Sequence, residues 1–199
     1  MKHEWRKNEK ELYAPKEIPQ LLSVPKQKFF MIKGKGNPND EDFSERIGVL
    51  YSLSYAVRMM HKSGFVPDGY FEYTVYPLEG VWEECDTSDK STFSYTIMIR
   101  QPDFVTEDVA KRAFEIANVK KPNPLLKEAY YDEIEEGFSV QILHMGDYDD
   151  EPESFEKIIK FMNENNLERR GKTHREIYLS DARKVERNKL KTILRYMVK

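Results

Sequence analysis

The sequence predicts an α+β fold made of two copies of a β-α-β-β unit, and a repeated order of local patterns is the main reason. In each half, an apolar strand is followed by a glycine with acidic residues, a helix that opens on phenylalanine, and two further strands. The copies span residues 29–100 and 138–198, and chance similarity is the alternative. Two such units are expected to meet about a pseudo-two-fold axis, with a ligand pocket between them.

The spacing of apolar residues predicts the individual elements. Apolar side chains three and four apart predict amphipathic helices over residues 43–61 and from Phe155 to about residue 163, and Thr106 precedes a helix that ends near Asn118. A further helical stretch is expected between the two halves. Strands are predicted at residues 28–33, 70–76, 93–100, 137–145, 174–181 and 190–198.

The domain organisation is read from prolines and charge. Residues 1–25 are charged and contain Pro15, Pro19 and Pro25, which predicts an extended arm that lies on the domain. Residues 26–199 are expected to form one domain of two repeats, about 26–119 and 120–199. The arm is too short and too broken for a helix-turn-helix, so a self-contained transcription regulator is not expected.

Composition and charge exclude several classes of binding partner and of location. The 32 basic and 35 acidic residues nearly cancel, so no basic surface is expected to bind nucleic acid. No run approaches the roughly 18 apolar residues of a membrane helix, and the polar start is not a signal peptide, so we expect a cytoplasmic protein without a membrane partner. The single cysteine, Cys85, excludes an internal disulfide, and its acidic neighbours disfavour a thiolate.

The segment from His174 to Asp181 carries the most informative pattern. Its alternation places Ile177 and Leu179 on one face of a strand, and Glu176, Tyr178 and Ser180 on the other. The polar face is either a solvated sheet surface or the floor of a pocket.

Several segments together resemble the GyrI-like family of small-molecule-binding proteins. They read Leu-Tyr-Ser-Leu-Ser-Tyr-Ala (50–56), Pro-Leu-Glu-Gly (77–80) with Trp82, Ile-Arg-Gln-Pro-Asp-Phe (99–104), Val-Gln-Ile-Leu-His-Met-Gly (140–146) and Glu-Ile-Tyr-Leu-Ser-Asp (176–181). The resemblance implies a duplicated β-α-β-β (SHS2-type) module, with a deep pocket floored by a glutamate and walled by aromatic residues. The stand-alone pattern is similar to the cyclopropanoid cyclopropyl hydrolases, which hydrolyse cyclopropane-bearing, DNA-alkylating compounds in an aromatic cage.

The resemblance and strand parity together select the site residues. Glu176 corresponds to the pocket glutamate of the family, and Trp82 to a wall aromatic. The alternation of side chains along a strand adds Tyr76 and Tyr178 to the predicted site residues. The chain departs from the family pattern at Thr173, Ala182 and Glu83.

These residues fit a hydrolase, although a binding protein is the open alternative. Opening a cyclopropane conjugated to a ketone requires water at carbon, which Glu176 could activate, and a hydrogen bond to the ketone oxygen, which Tyr76 or Tyr178 could donate. The same residues would suit a non-catalytic protein that sequesters planar hydrophobic or cationic molecules. A protein that acts on a macromolecular partner is a third alternative.

The remaining candidates are two histidines and one glutamate. We expect His144 and His174 to bind the ligand rather than a metal, since they lie on different strands, and a His144 that is hydrogen-bonded within the core is the alternative. Glu79 in the Pro-Leu-Glu-Gly segment is expected to be exposed. We therefore predict a planar hydrophobic small molecule as partner and no cofactor, and both a monomer and a homodimer stay open.

Overall fold

A computed structural model describes residues 2–83 and 89–199, so Cys85 lies outside the described residues. The helices are α1 (Trp5–Asn8), α2 (Lys10–Tyr13), α3 (Glu41–Met59), α4 (Glu107–Lys120) and α5 (Glu151–Glu164). The strands are β1 (Gln20–Val24), β2 (Gln27–Lys35), β3 (Leu78–Glu83), β4 (Ser94–Gln101), β5 (Tyr130–Ile134), β6 (Gly137–Met145), β7 (Thr173–Tyr178) and β8 (Lys191–Met197). Within residues 2–83 and 89–199, no helix has both the length and the apolar character needed to cross a membrane.

The order of these elements confirms the predicted α+β fold and its duplication. β2-α3-β3-β4 is one β-α-β-β unit, and β6-α5-β7-β8 is the second. The three predicted helices are present, and Thr106 caps α4 by accepting a hydrogen bond from the backbone N–H of Val109. Each unit therefore has one helix between its first and second strands.

Two predicted extended segments are wrong. Residues 1–25 contain α1, α2 and β1 rather than an extended arm, because Leu22 and Val24 are buried as β1 pairs with β6. Residues 70–76 form no strand, and only Tyr73 makes a β-bridge, to His3. The aromatic residues of this segment belong to a cluster of rings, in which the ring centres of Tyr73 and Phe104 lie 6.0 Å apart.

The helical stretch predicted between the halves is also wrong. Residues 124–127 form one short 3-10 turn, and β5 follows it. β5 is an edge strand that pairs with β2, so its polar residues 132 and 133 remain exposed, and the segment carries too little apolar periodicity to be recognised.

The described residues fall into two compact units. The first combines residues 2–4, 27–78 and 89–134, and its antiparallel strands run in the order β4-β2-β5. Helix α3 packs on β2 and β4, and α4 packs on α3. The Phe30 ring on β2 meets Phe114 on α4 edge to face at 5.7 Å. This unit is therefore a sheet closed on one face by two helices.

The second unit combines residues 5–26, 79–83 and 135–199. Its antiparallel strands run in the order β1-β6-β8-β7-β3. Helix α5 covers one face of this sheet, where Ile158 and Met162 pack against Val140, Ile142 and Leu194. Side chains of β6, β7 and β8 alternate between this face and the opposite one.

The opposite face of the second unit carries a buried ion network. Arg175 Nη1 lies 3.1 Å from Glu79 Oε2, and Arg175 Nε lies 3.0 Å from Glu136 Oε1. Arg195 Nη1 lies 2.7 Å from Glu136 Oε2, and its Nη2 donates to Gln141 Oε1. All five side chains are buried, so opposite charges compensate one another away from water.

The N-terminal segment covers this network. The side-chain amide of Gln141 donates to the carbonyl of Glu11, and Arg195 Nη2 donates to the carbonyl of Leu12. The backbone N–H of Leu143 donates to the carbonyl of Lys16. These contacts place the N-terminal segment against β6 and β8 of the second unit.

Candidate functional site

Glu176 lies on the face of the second unit that α5 covers. It pairs with Gly80 of β3 on one side and with Leu194 of β8 on the other, in the middle of β7. Only 8% of its surface is exposed, so the predicted polar face is not a solvated surface. β7 ends at Tyr178, three residues before the predicted end.

Two side chains hold the carboxylate of Glu176 from opposite sides. Nε2 of His174 lies 2.8 Å from Oε1, and the hydroxyl of Tyr178 donates to Oε2 at 2.7 Å. The indole N–H of Trp82 donates to the same Tyr178 hydroxyl at 2.9 Å. Because an ionised carboxylate only accepts hydrogen bonds, His174 must carry its proton on Nε2 towards it. The carboxylate is thereby fixed in orientation.

Aromatic rings surround these residues. Tyr148 meets Tyr178 edge to face at 6.0 Å, and Phe155 of α5 meets His174 edge to face at 4.9 Å. Phe155 also stacks on Tyr196 of β8 at 5.1 Å. We call this group the Glu176 cluster: Trp82, Tyr148, Phe155, His174, Glu176, Tyr178 and Tyr196.

Two of the three tyrosine hydroxyls in the cluster, those of Tyr148 and Tyr178, stay protonated at neutral pH. Burial, the charge of Glu176 and the hydrogen bond to it raise the pKa of Tyr178 well above its usual value. Burial and the carboxylates of Glu176 and Glu151 raise the pKa of Tyr148 to about 12. Both phenols are therefore available as hydrogen-bond donors rather than as anions.

Gly80 allows the indole of Trp82 to reach Tyr178. A Cβ atom at position 80 would lie 2.7 Å from Nε1 of Trp82 and 3.2 Å from the Tyr178 hydroxyl. An isolated glycine in a strand often marks such a close approach, so this position could have been noticed in the sequence.

For the planar ligand that the sequence predicts, we expect Gly80→Ala to weaken binding by roughly tenfold, equivalent to about 1.4 kcal/mol, because the indole must move. Titration calorimetry measures the affinity, and Trp82 fluorescence in a Trp5→Phe background reports the displacement. Gly48→Ala is the matched control, since its Cβ would meet no atom within 4 Å. Equal affinities for the two variants would contradict the role given to Gly80.

The other predicted site residues lie elsewhere. Nδ1 of His144 lies 2.9 Å from the Ser154 hydroxyl, and its Nε2 lies 2.8 Å from the carbonyl of Asp147. His144 lines a polar cavity of about 270 Å³ that contains no member of the Glu176 cluster. Tyr76 belongs to the first unit, where it is buried and Cζ of Arg100 lies 4.7 Å from its ring centre. The structure thus brings together Trp82, His174, Glu176 and Tyr178, and the site roles of His144 and Tyr76 stay predictions.

The prediction that Glu79 is exposed is wrong. Glu79 lies within β3, is fully buried, and forms its ion pair with Arg175 on the face opposite Glu176. The prediction failed because the Pro-Leu-Glu-Gly segment has the composition of a turn, whereas residues 78–83 form a strand. Among residues 2–83 and 89–199, no group of three histidine, cysteine or acidic side chains could hold a metal ion.

Three ring residues of the cluster were not identified from the sequence. Tyr148, Phe155 and Tyr196 come from a turn, from α5 and from β8. Phe155 and Tyr196 fit the apolar stripes of their elements, so periodicity assigned them to the core. Only the packing of α5 beside β7 shows that they surround Glu176.

Comparison with known proteins agrees with this fold. Residues 19–199 match the GyrI-like small molecule binding domain. The chain belongs to the GyrI-like family. A hydrolase from Listeria innocua is 36% identical to this GyrI-like chain, covers 100% of both chains and superposes with a TM-score of 0.94.

Two further structures are similar to this GyrI-like chain. An uncharacterized conserved protein from Listeria innocua is 38% identical, with 100% of both chains covered and a TM-score of 0.93. The C-terminal domain of EcmrR is 13% identical over 91% of this chain and 96% of that one, with a TM-score of 0.53, and it shares the fold alone. A comparison with curated protein sequences returned no match.

Proposed function

We propose that this GyrI-like domain is a hydrolase that opens cyclopropane rings conjugated to a ketone in planar, DNA-alkylating xenobiotics. The observation that carries the proposal is the carboxylate of Glu176, which is buried, held at both oxygens and surrounded by aromatic rings. A carboxylate fixed in this way can act on a water molecule with little reorganisation. The similar hydrolase from Listeria innocua supports the reaction class.

The proposed reaction uses one water molecule. Its oxygen attacks the cyclopropane methylene carbon, while Glu176 accepts a proton from it. The strained carbon–carbon bond breaks, and its electron pair moves through the ring system to the ketone oxygen, which becomes a phenol once protonated. Trp82, Tyr178 and His174 are the proposed contacts to the planar substrate, by stacking and edge contacts of about 0.5–1.5 kcal/mol each.

The tyrosines have different proposed roles. The Tyr178 hydroxyl donates a hydrogen bond to Glu176, so Tyr178 positions the base. Tyr76 stays a predicted donor to the ketone oxygen, although residues 70–76, on whose strand parity that prediction rested, form no strand. In this proposal the protein protects cytoplasmic DNA by destroying the alkylating group before it reacts.

Turnover of a spirocyclopropane substrate in ¹⁸O-labelled water tests the proposal. We expect a ring-opened product that carries one solvent oxygen and forms in many equivalents per protein, detected by mass spectrometry. A single equivalent, with the intact protein gaining the mass of the substrate, would instead indicate alkylation of the chain. Cys85→Ser is the control, because the thiol is the strongest nucleophile available.

A binding protein without chemistry is the second candidate. The same buried carboxylate and rings favour it, since an aromatic site with one negative charge attracts hydrophobic cations. Saturable binding of the spirocyclopropane with no product in labelled water would support sequestration and contradict the hydrolase.

A further inference from the structure

Within residues 2–83 and 89–199, Glu151 is a buried carboxyl group with one oxygen that makes no hydrogen bond. It is the first residue of α5, it is 7% exposed, and its Oε1 is inaccessible and has no partner. Buried polar atoms in proteins nearly always have one. The other buried residues of α5, Ser154, Ile158 and Met162, continue the same stripe, so Glu151 occupies a position where an apolar side chain would be ordinary.

Glu151 lies close enough to Glu176 for the charge of that carboxylate to act on it. Along the chain it is flanked by Tyr148 and Phe155, three residues before it and four after it, which share its side of the helix start. The Tyr148 ring contacts Tyr178 and the Phe155 ring contacts His174, which are the two residues that hold the Glu176 carboxylate. The contacts on both sides of Glu151 therefore converge on Glu176.

The charged groups around Glu151 favour its protonated form. The acids that act on it are Glu176 from β7, and Asp147 and Asp149 from the turn before α5. Tyr148 and Tyr178 face the same region as neutral phenols, and His174 is engaged with Glu176. The pKa of Glu151 is raised well above 4.5, and burial is a larger cause than these negative charges.

A helix-capping role does not account for this arrangement. The helix dipole stabilises an ionised carboxylate at the start of a helix. Exposure to water also favours the ionised form. The neighbouring acids Asp149, Asp150 and Glu153 are exposed and already provide it. Burial of Glu151 opposes the charge, which points to a group that works as an acid.

We propose that Glu151 is the proton donor of the site and complements Glu176, an inference that rests on the proposed hydrolysis. As water attacks carbon and Glu176 removes one of its protons, the electron pair of the broken carbon–carbon bond reaches the ketone oxygen. Glu151 donates its proton to that oxygen, which yields the phenol. A proton then passes from Glu176 to Glu151 through solvent. The net reaction is therefore the addition of one water molecule to the substrate.

The test is the pH dependence of turnover for the wild type, Glu151→Gln and Glu156→Gln, with spontaneous solvolysis subtracted at each pH. We expect the wild-type kcat to fall as pH rises through the pKa of Glu151. Glu151→Gln should lower kcat about 100-fold near neutral pH, at the low end of general-acid effects, and should lose that alkaline decrease. Glu156→Gln, an exposed acid of the same helix, should behave as wild type.

The outcomes separate the two proposals. Absence of wild-type turnover overturns both the hydrolase and the proton donor. Wild-type turnover with an unchanged profile in Glu151→Gln overturns the proton donor alone. If the variant does not fold, carboxyl ¹³C NMR of the wild type decides, because a Glu151 that titrates at its ordinary value would be ionised at neutral pH and unable to donate.

Discussion

We expect Glu176→Gln to lower the rate of the proposed cyclopropane opening by about 10²–10⁴-fold, the effect of removing a general base. Glutamine has the same shape, and its amide oxygen can accept the Tyr178 hydrogen bond. Its NH₂ group can donate to Nε2 of His174 once the imidazole proton moves to Nδ1. The fold of β7 should therefore survive while the base is lost.

Steady-state kinetics with the spirocyclopropane substrate measures this effect, and Trp82→Ala provides the contrast. Loss of the indole should weaken binding and slow the chemistry together, because the substrate is misplaced. For Glu176→Gln, calorimetry should show retained binding of a neutral planar ligand and weakened binding of a cation. An unchanged rate in Glu176→Gln would remove the carboxylate from the mechanism.

Glu136→Gln should lower the free energy of unfolding by about 3–5 kcal/mol, because it leaves buried arginine charge uncompensated. Glu136 contacts both Arg175 and Arg195, and all three are buried. For a domain of this size the loss corresponds to a decrease in Tm of roughly 6–20 °C. Differential scanning calorimetry measures it.

Glu168→Gln is the control for the network variant. Glu168 also forms an ion pair, with Lys199 at 2.9 Å, but both side chains are largely exposed, so Tm should change little. Equal shifts for the two variants would contradict the importance of burial.

The stability difference should also depend on pH. Burial opposes ionisation of Glu136, but the charges of Arg175 and Arg195 outweigh it, so its pKa is lowered from 4.5. The carboxylate therefore stabilises the folded protein fully above pH 4.5, and this contribution is lost as pH falls through the lowered folded pKa. The difference between wild type and Glu136→Gln should shrink in that acidic range.

Local patterns were sufficient for the three long helices and for several of the strands. The helices α3, α4 and α5 and the strands β2, β4, β6 and β8 follow from apolar spacing, since a helix or strand with one buried side imprints its period on the sequence. The repeated order of these elements also follows, and with it the α+β class. Residues 70–76 show where this reasoning fails, because their alternating aromatic residues have the pattern of a strand but form a cluster of rings instead.

The sequence by itself determined that Glu176 and Tyr178 share one face of β7 with His174, because side chains two apart in a strand point the same way. Only the tertiary structure decided what covers each face. It buried Glu79 in an ion network under the N-terminal segment, and it brought α5, with Phe155 and Glu151, beside Glu176. Which element packs on a strand depends on contacts between residues far apart in the chain, and those contacts leave no period in the sequence around either partner.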